Sequence, residues 1–396
     1  MKSSWVSPKI IIGKEATGDF YFRRNKIEEE IWTELRKGNN ILITAPRRVG
    51  KTSVMKYIVK ESKEQNYKLI FRNVQGIRDE DDFYKIIYGL ILLELKGFRG
   101  WKQKIIDYFN NKGIYEISLS GDIKFKEKEV NYLDELNDLI PQLKSEEEVL
   151  IFFIDELPEV LHKLYKNGKN AGAHNILQNL RHWRQDPKFE KIKFVLAGSV
   201  GFHYIIGLIN GRPADINDLN AINYLPLDDE EFDEYINKVT SGATISYSPK
   251  LKVYLKTKVN YLVPYFINLL LNEIDKTSRS KDQCKISTRD IDEAMTKVVN
   301  ENHQFSDWKI RLSGYLLKDD FDFVNEVLIH IAHKDNISVQ QIFDKAQKYG
   351  KSDDYMSFVS DLVQDGYIIK HEDGKYVYIS PFLKEFWKNN NPVYNG

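Results

Sequence analysis

Nine residues constrain this chain more than any other feature. They are Ala45-Pro46-Arg47-Arg48-Val49-Gly50-Lys51-Thr52-Ser53, and they follow the short apolar run Ile41–Thr44 and open an amphipathic stretch from Lys51 to about Gln65. A strand, a tight loop and a helix in that order make a phosphate cradle. The loop's backbone N–H groups converge at a helix N-terminus, where the peptide dipoles favour an anion. The pattern G-x-x-x-x-G-K-[ST] is met except at its first position, where Ala45 stands for glycine; alanine is tolerable there provided its φ is negative. Gly50 lets the backbone come close to the phosphates, Lys51 reaches the β- and γ-phosphates, and the Thr52 hydroxyl ligates Mg²⁺. Pro46, Arg47, Arg48, Val49 and Ser53 complete the candidate contact set. ATP with Mg²⁺ is the ligand this arrangement predicts. A chance turn can match the pattern, but it rarely has the strand before and the helix after.

A second motif, Ile151-Phe152-Phe153-Ile154-Asp155-Glu156, is an apolar strand ending in two carboxylates. Asp155 is the candidate metal ligand, and Glu156 the candidate general base for an attacking water. The plainer reading is a capping pair after a buried strand. A third strand, Phe194-Val195-Leu196-Ala197, ends in Gly198-Ser199, and Ser199 is the candidate for orienting that water. An ordinary strand-end turn explains Ser199 nearly as well. Arg181 and Arg184 close the preceding helix. In ring-forming ATPases an arginine there stabilises a neighbour's transition state, so Arg184 is the candidate finger; a solvated helix C-terminus, where cations suit the dipole, is the competing reading. An ATP-consuming kinase is disfavoured, because a water-activating Glu156 there wastes ATP.

Apolar strands alternating with amphipathic helices up to about residue 225 predict an α/β domain with a parallel sheet. From Asp228 the pattern is helical. After Tyr315 it predicts three helices and a hairpin turning at Glu372-Asp373-Gly374, the order of a winged helix-turn-helix. The expected domains are therefore 1–225, 226–315 and 316–396. Lys+Arg and Asp+Glu are balanced at 58 each, so no global field holds the chain on nucleic acid or an acidic membrane. Residues 1–18 lack the apolar core of a signal peptide, no apolar run approaches a membrane span, and Cys284 is the one cysteine. A cytoplasmic location without membrane attachment is expected.

The would-be recognition helix, Ser352–Asp365, has four aspartates and no Lys or Arg. Its apolar residues Tyr355, Phe358, Val359, Leu362 and Val363 recur at helical spacing and predict an inward face. A helix that reads DNA needs basic neighbours for the phosphates. A protein partner is therefore expected in preference to DNA, although Lys370, His371 and Lys375 of the hairpin leave DNA open as the alternative.

Taken together, Phe22-Arg23-Arg24 ahead of the Pro-Arg-Arg loop, Phe153-Ile154-Asp155-Glu156-Leu157-Pro158, and Ala197-Gly198-Ser199 followed by Leu225-Pro226-Leu227 resemble the archaeal and bacterial ATPases of the AAA+-related STAND group. Val263-Pro264-Tyr265 looks like the proline signature of that family's helical lid, which puts Pro264 beside the nucleotide, and 308–311 looks like its approach to the winged helix. The resemblance implies an AAA+-like P-loop NTPase fold with a helical lid and a C-terminal winged helix. It also implies an ATP-driven switch or remodeller that oligomerises. Asn73 departs from the pattern, since an acidic residue is expected at the end of the second strand.

Overall fold

The computed structural model describes residues 5–64, 66–95, 114–117, 123–125, 130–145, 148–198, 201–209, 211–301 and 305–394. Two compact units emerge: residues 24–44 with 54–223, and residues 1–23, 45–53 and 224–396.

The first unit is built on a five-stranded parallel sheet. Its strands are β1 (Ile41–Thr44), β2 (Tyr67–Asn73), β5 (Val149–Asp155), β6 (Ile192–Gly198) and β7 (Asn220–Asn223), in the order β2-β5-β6-β1-β7. The central strands are near-continuous apolar runs because helices cover a parallel sheet; residues 150–155 of β5 are all buried. Phe152 stacks on Phe194 across β5 and β6 at 5.8 Å. The buried Asn40 aligns the start of β1, its Oδ1 accepting from the Phe194 N–H and its carbonyl from the Asn220 N–H, both at 2.8 Å. The helices are α1 (Asn25–Arg36), α3 (Glu80–Leu95), α4 (Tyr132–Leu139), α5 (Leu157–Lys166), α6 (Asn170–Gln185) and α7 (Phe202–Leu208), while α2 (Lys51–Glu61) begins in the loop after β1. A separate two-stranded sheet is the antiparallel pair β3 (Ile114–Ile117) and β4 (Ile123–Phe125).

Sequence periodicity predicts neither α5 nor β7. Pro158 occupies the first turn of α5, where no N–H is needed. Strand β7, Asn-Ala-Ile-Asn, has no apolar run and is a strand because it pairs with β1.

The second unit is helical: α8 (Asp229–Val239), α9 (Pro249–Val259), α10 (Pro264–Ser280), α11 (Thr288–Glu301) and α12 (Ser306–Tyr315). The acidic start of α8 is a capping box, with Asp228 and Glu231 each accepting from the other's backbone N–H. The N-terminal segment joins this unit; Trp5 Nε1 and Ser7 Oγ donate to the two carboxylate oxygens of Asp275. Then come α13 (Lys318–Lys334), α14 (Val339–Lys348) and α15 (Tyr355–Gln364), the antiparallel strands β8 (Ile368–Lys370) and β9 (Tyr376–Tyr378), and a final helix, α16 (Pro381–Asn390). Three helices and a two-stranded hairpin thus follow in the order read from the sequence, with a helix added. Aromatic rings tie it to the preceding helices: Phe266 of α10 stacks on Phe382 of α16 at 5.3 Å and on Trp308 of α12 at 6.3 Å. The recognition helix is shorter than expected, and its Val363 faces outward, 37% exposed, while Asp365 is buried. Among the described residues no helix is long and apolar enough to cross a membrane.

Candidate nucleotide site

The chain leaves β1 at Thr44 and enters the loop at Ala45, which is buried and does not take a positive φ. The departure from glycine at that position therefore costs nothing in backbone strain. The left-handed residues are instead Arg48, φ 66°, and Gly50, φ 113°. Gly50 has a second reason to be glycine: a Cβ there meets the Tyr224 hydroxyl at 3.0 Å. Lys51 is buried, and its Nζ donates to the loop's own carbonyls, Ala45 O at 2.6 Å and Pro46 O at 2.9 Å. Ser53 Oγ accepts from the Ala16 N–H at 3.0 Å. Thr52 is half-buried at the first turn of α2.

Helices α10 and α12 also reach this loop. Arg48 lies 4.2 Å over the Tyr265 ring, and its guanidinium pairs with Asp307 at 3.4 Å. Pro264, the residue before Tyr265, starts α10 at a position that needs no N–H. Sequence reasoning placed Val263-Pro264-Tyr265 beside the nucleotide but overlooked Tyr224, Asp307 and Gly366, which packs on Pro46, as neighbours of the loop. An arginine at the fourth loop position, where glycine meets the backbone requirement more cheaply, was the available signal.

Asp155 ends β5 only 1% exposed, and its Oδ1 accepts from the Glu156 N–H at 3.1 Å. Glu156 has φ 62°, ψ 32° and precedes α5. A non-glycine residue in this region carries strain of about 1 kcal/mol, held by the surrounding turn. That turn is tight: Pro158 packs so closely on Gly198 that a Cβ at Gly198 meets the ring at 2.3 Å. In register, Thr44 lies opposite Gly198 and Ile154 opposite Leu196. The ends of β1, β6 and β5 therefore share one edge of the sheet. Ser199, the next residue, lies outside the described residues. Asn73 pairs in register with Asp155, and its Oδ1 accepts from the Gln75 N–H at 2.9 Å, so it serves the turn after β2.

The two arginines of α6 are internal. Arg184, its side chain fully buried, makes a two-pronged pair with Asp218 at 2.7 and 2.9 Å and donates to the Asp215 carbonyl at 2.7 Å. Arg181, 24% exposed, pairs with Asp215 Oδ1 at 3.2 Å. Burial opposes ionisation of Asp215, but the Arg212 N–H, Arg181 and Gln178 hold its carboxyl below the usual range.

The Thr52 hydroxyl and the Asp155 carboxylate are each hard oxygen donors, the type Mg²⁺ takes alongside substrate phosphates.

A family model described as an AAA-like domain matches residues 13–208. Among solved structures, a Walker-type ATPase of Pyrococcus abyssi superposes with a TM-score of 0.61 at 14% identity, covering 96% of this chain and 99% of that one. The Aeropyrum pernix ORC2 protein, solved in ADPNP and ADP complexes, gives a TM-score of 0.51 at 14% identity, covering 96% and 95%. No curated protein matches. At such identities the likeness speaks for the fold, and it agrees with the strand order and the phosphate loop. By fold, residues 13–208 match an AAA-like α/β domain built on a phosphate loop and a parallel sheet, and a helical segment with a small two-stranded sheet follows.

Proposed function

We propose that the chain binds ATP with Mg²⁺, hydrolyses it, and uses the nucleotide state to control a protein partner. The observation that carries this is the shared sheet edge. The loop Ala45–Ser53 follows β1, Asp155 and Glu156 end β5, and both strands run the same way in one parallel sheet. In this reading the loop's N–H groups and Lys51 bind the phosphates, and Thr52 and Asp155 hold the cation. When bound, Mg²⁺ neutralises charge on the β- and γ-phosphate oxygens. Glu156 accepts a proton from the attacking water as it adds to the γ-phosphorus and ADP leaves. Ser199 orients that water. Pro264 opens the lid, 226–315, and the winged helix, 316–396, carries the output.

Self-association belongs to the same proposal. A finger reaching a neighbour's nucleotide is better supplied by Arg181 than by Arg184, because Arg184 must first abandon a buried two-pronged pair. The preference for a protein partner rests on α15, which has no Lys or Arg along Tyr355–Gln364.

The test is ATP binding and phosphate release by the full chain. Lys51→Ala is expected to lose binding. Glu156→Gln is expected to bind and to turn over at least ~100-fold more slowly. Normal turnover by Glu156→Gln rules out the assigned base. Turnover stimulated several-fold by duplex DNA transfers the output from a protein partner to DNA.

A further inference from the structure

The phosphate loop groups with residues 224–396 in one compact unit, and the contacts that put it there are specific. Arg48 adopts a left-handed backbone that glycine takes without strain, so its side chain must return something. It does so twice within the unit: its guanidinium stacks on Tyr265, near the start of α10, and pairs with Asp307, near the start of α12. Two residues earlier, Pro46 is pinned from both ends. Its carbonyl accepts from Lys51 Nζ. Its ring lies under Gly366, just past α15, where a Cβ falls 2.4 Å from Pro46 Cβ and Cγ. Gly366 is left-handed at φ 75°, and the next residue, Tyr367, donates its hydroxyl to the Trp308 carbonyl at 2.9 Å. The winged helix thus rests directly on the loop that cradles phosphate, and α12 braces both.

We propose that Arg48 is the positioning residue through which the winged helix senses phosphate: it latches the loop to Tyr265 and Asp307, and bound triphosphate releases that latch and frees Gly366 from Pro46. This rests on the ATP-binding reading above. Two competitions drive the release. The Arg48–Asp307 pair is long, and Asp307 is 48% exposed, so water already screens it. A triphosphate offers a planar guanidinium several negative charges and two-pronged geometry. Phosphate also claims Lys51, which must leave the Pro46 carbonyl and so loosens the residue on which Gly366 sits. Tyr265 and Asp307 are then free to move with the lid, while Arg48 turns to the nucleotide.

The experiment is hydrogen–deuterium exchange on the full chain, with and without adenylyl-imidodiphosphate and Mg²⁺, with binding measured in parallel by calorimetry. In the wild type the analogue is expected to speed exchange across 355–370 by about 5- to 150-fold, the ordinary span of coupling between two sites. Asp307→Asn, which loses only a water-screened pair, is expected to exchange up to about 5-fold faster before any nucleotide is added, and Arg48→Lys, which keeps the charge but not the planar stack, to lie between it and the wild type. Exchange across β5 serves as the check that the variants are folded. Binding with no change at 355–370, or Asp307→Asn exchanging like the wild type without nucleotide, overturns the latch and leaves the ATPase reading intact. A wild type that fails to bind the analogue overturns the ATPase reading itself, and the latch with it.

Discussion

Replacing Gly198 by alanine tests whether the end of β6 sets the position of Glu156. The new Cβ falls 2.3 Å from Cγ and 2.5 Å from Cδ of Pro158, against an ordinary contact of at least 3.4 Å. A proline ring cannot swing aside as a long side chain can, so something must move by about 1 Å. Either the last residue of β6 retreats, against its pairing with Thr44, or the first turn of α5 lifts and takes Glu156 with it. The turn is the softer element, because Glu156 is already strained at φ 62°. Overpacking of this kind costs about 1–3 kcal/mol, a fall in Tm of roughly 2–10 °C for a unit of this size. A catalytic group misplaced by about 1 Å costs turnover on the order of 100-fold. The assay is kcat and KM for ATP beside a thermal melt. Turnover should collapse while KM moves little, and Pro158→Ala in the same chain should restore much of both losses by removing the ring. If Gly198→Ala turns over ATP normally, or if the second substitution rescues nothing, Gly198 does not act through Pro158.

Burial pushes the Asp361 carboxyl up to about 7. Its folded value stands above its unfolded one, so its stabilisation is full below about pH 4 and is lost as pH rises through 7; Asp361→Asn should raise stability at pH 8 by about 1–2 kcal/mol, discounted because the carboxyl still meets solvent, and leave it unchanged at pH 4, as denaturant melts at the two pH values will tell. Arg184→Ala leaves Asp218 facing a lost partner and should destabilise by about 3–5 kcal/mol, whereas Arg181→Ala should spare the fold and weaken ATP-dependent self-association in sedimentation; the opposite pattern restores Arg184 as the finger. Titrated with duplex DNA at physiological salt, the full chain should show no submicromolar binding, and such binding weakened by Lys370→Ala or Lys375→Ala would reverse the assignment of α15 to a protein partner.

The elements that depend on local chemistry were legible in the sequence. The strands Val149–Asp155 and Ile192–Gly198 announce themselves by apolar runs, and α8 by its acidic cap. The elements that depend on distant partners were not. Strand β7 has two asparagines in four residues and is extended only because β1 offers it a ladder. Helix α5 begins with a proline whose place in the first turn the structure shows. The same division runs through the site. Lys51, Thr52, Asp155 and Glu156 are candidates by spacing, because phosphate chemistry fixes residue type and interval. That Arg48 bends into the left-handed region, or that Gly366 lies on Pro46, depends on segments hundreds of residues apart and leaves no periodic trace. Val363 shows the limit of the helical pattern: it continues the apolar spacing of α15 and yet faces outward.

The seating of Arg48 on Asp307, 259 residues further along the chain, has a consequence for biosynthesis. While the ribosome makes the protein, β1 and the phosphate loop emerge long before the residues that brace them. At about 5–20 residues per second, tens of seconds separate Pro46 from Gly366. Through that interval the strained backbone at Arg48 lacks the pair with Asp307 and the stack on Tyr265. A nascent chain therefore carries a recognisable phosphate loop without the scaffold that holds its shape, and the loop acquires its final form only when synthesis has passed the winged helix. Truncated products ending before residue 307 lack the Arg48–Asp307 pair and the Gly366 contact with Pro46, and limited proteolysis should cut them at this loop sooner than the full chain.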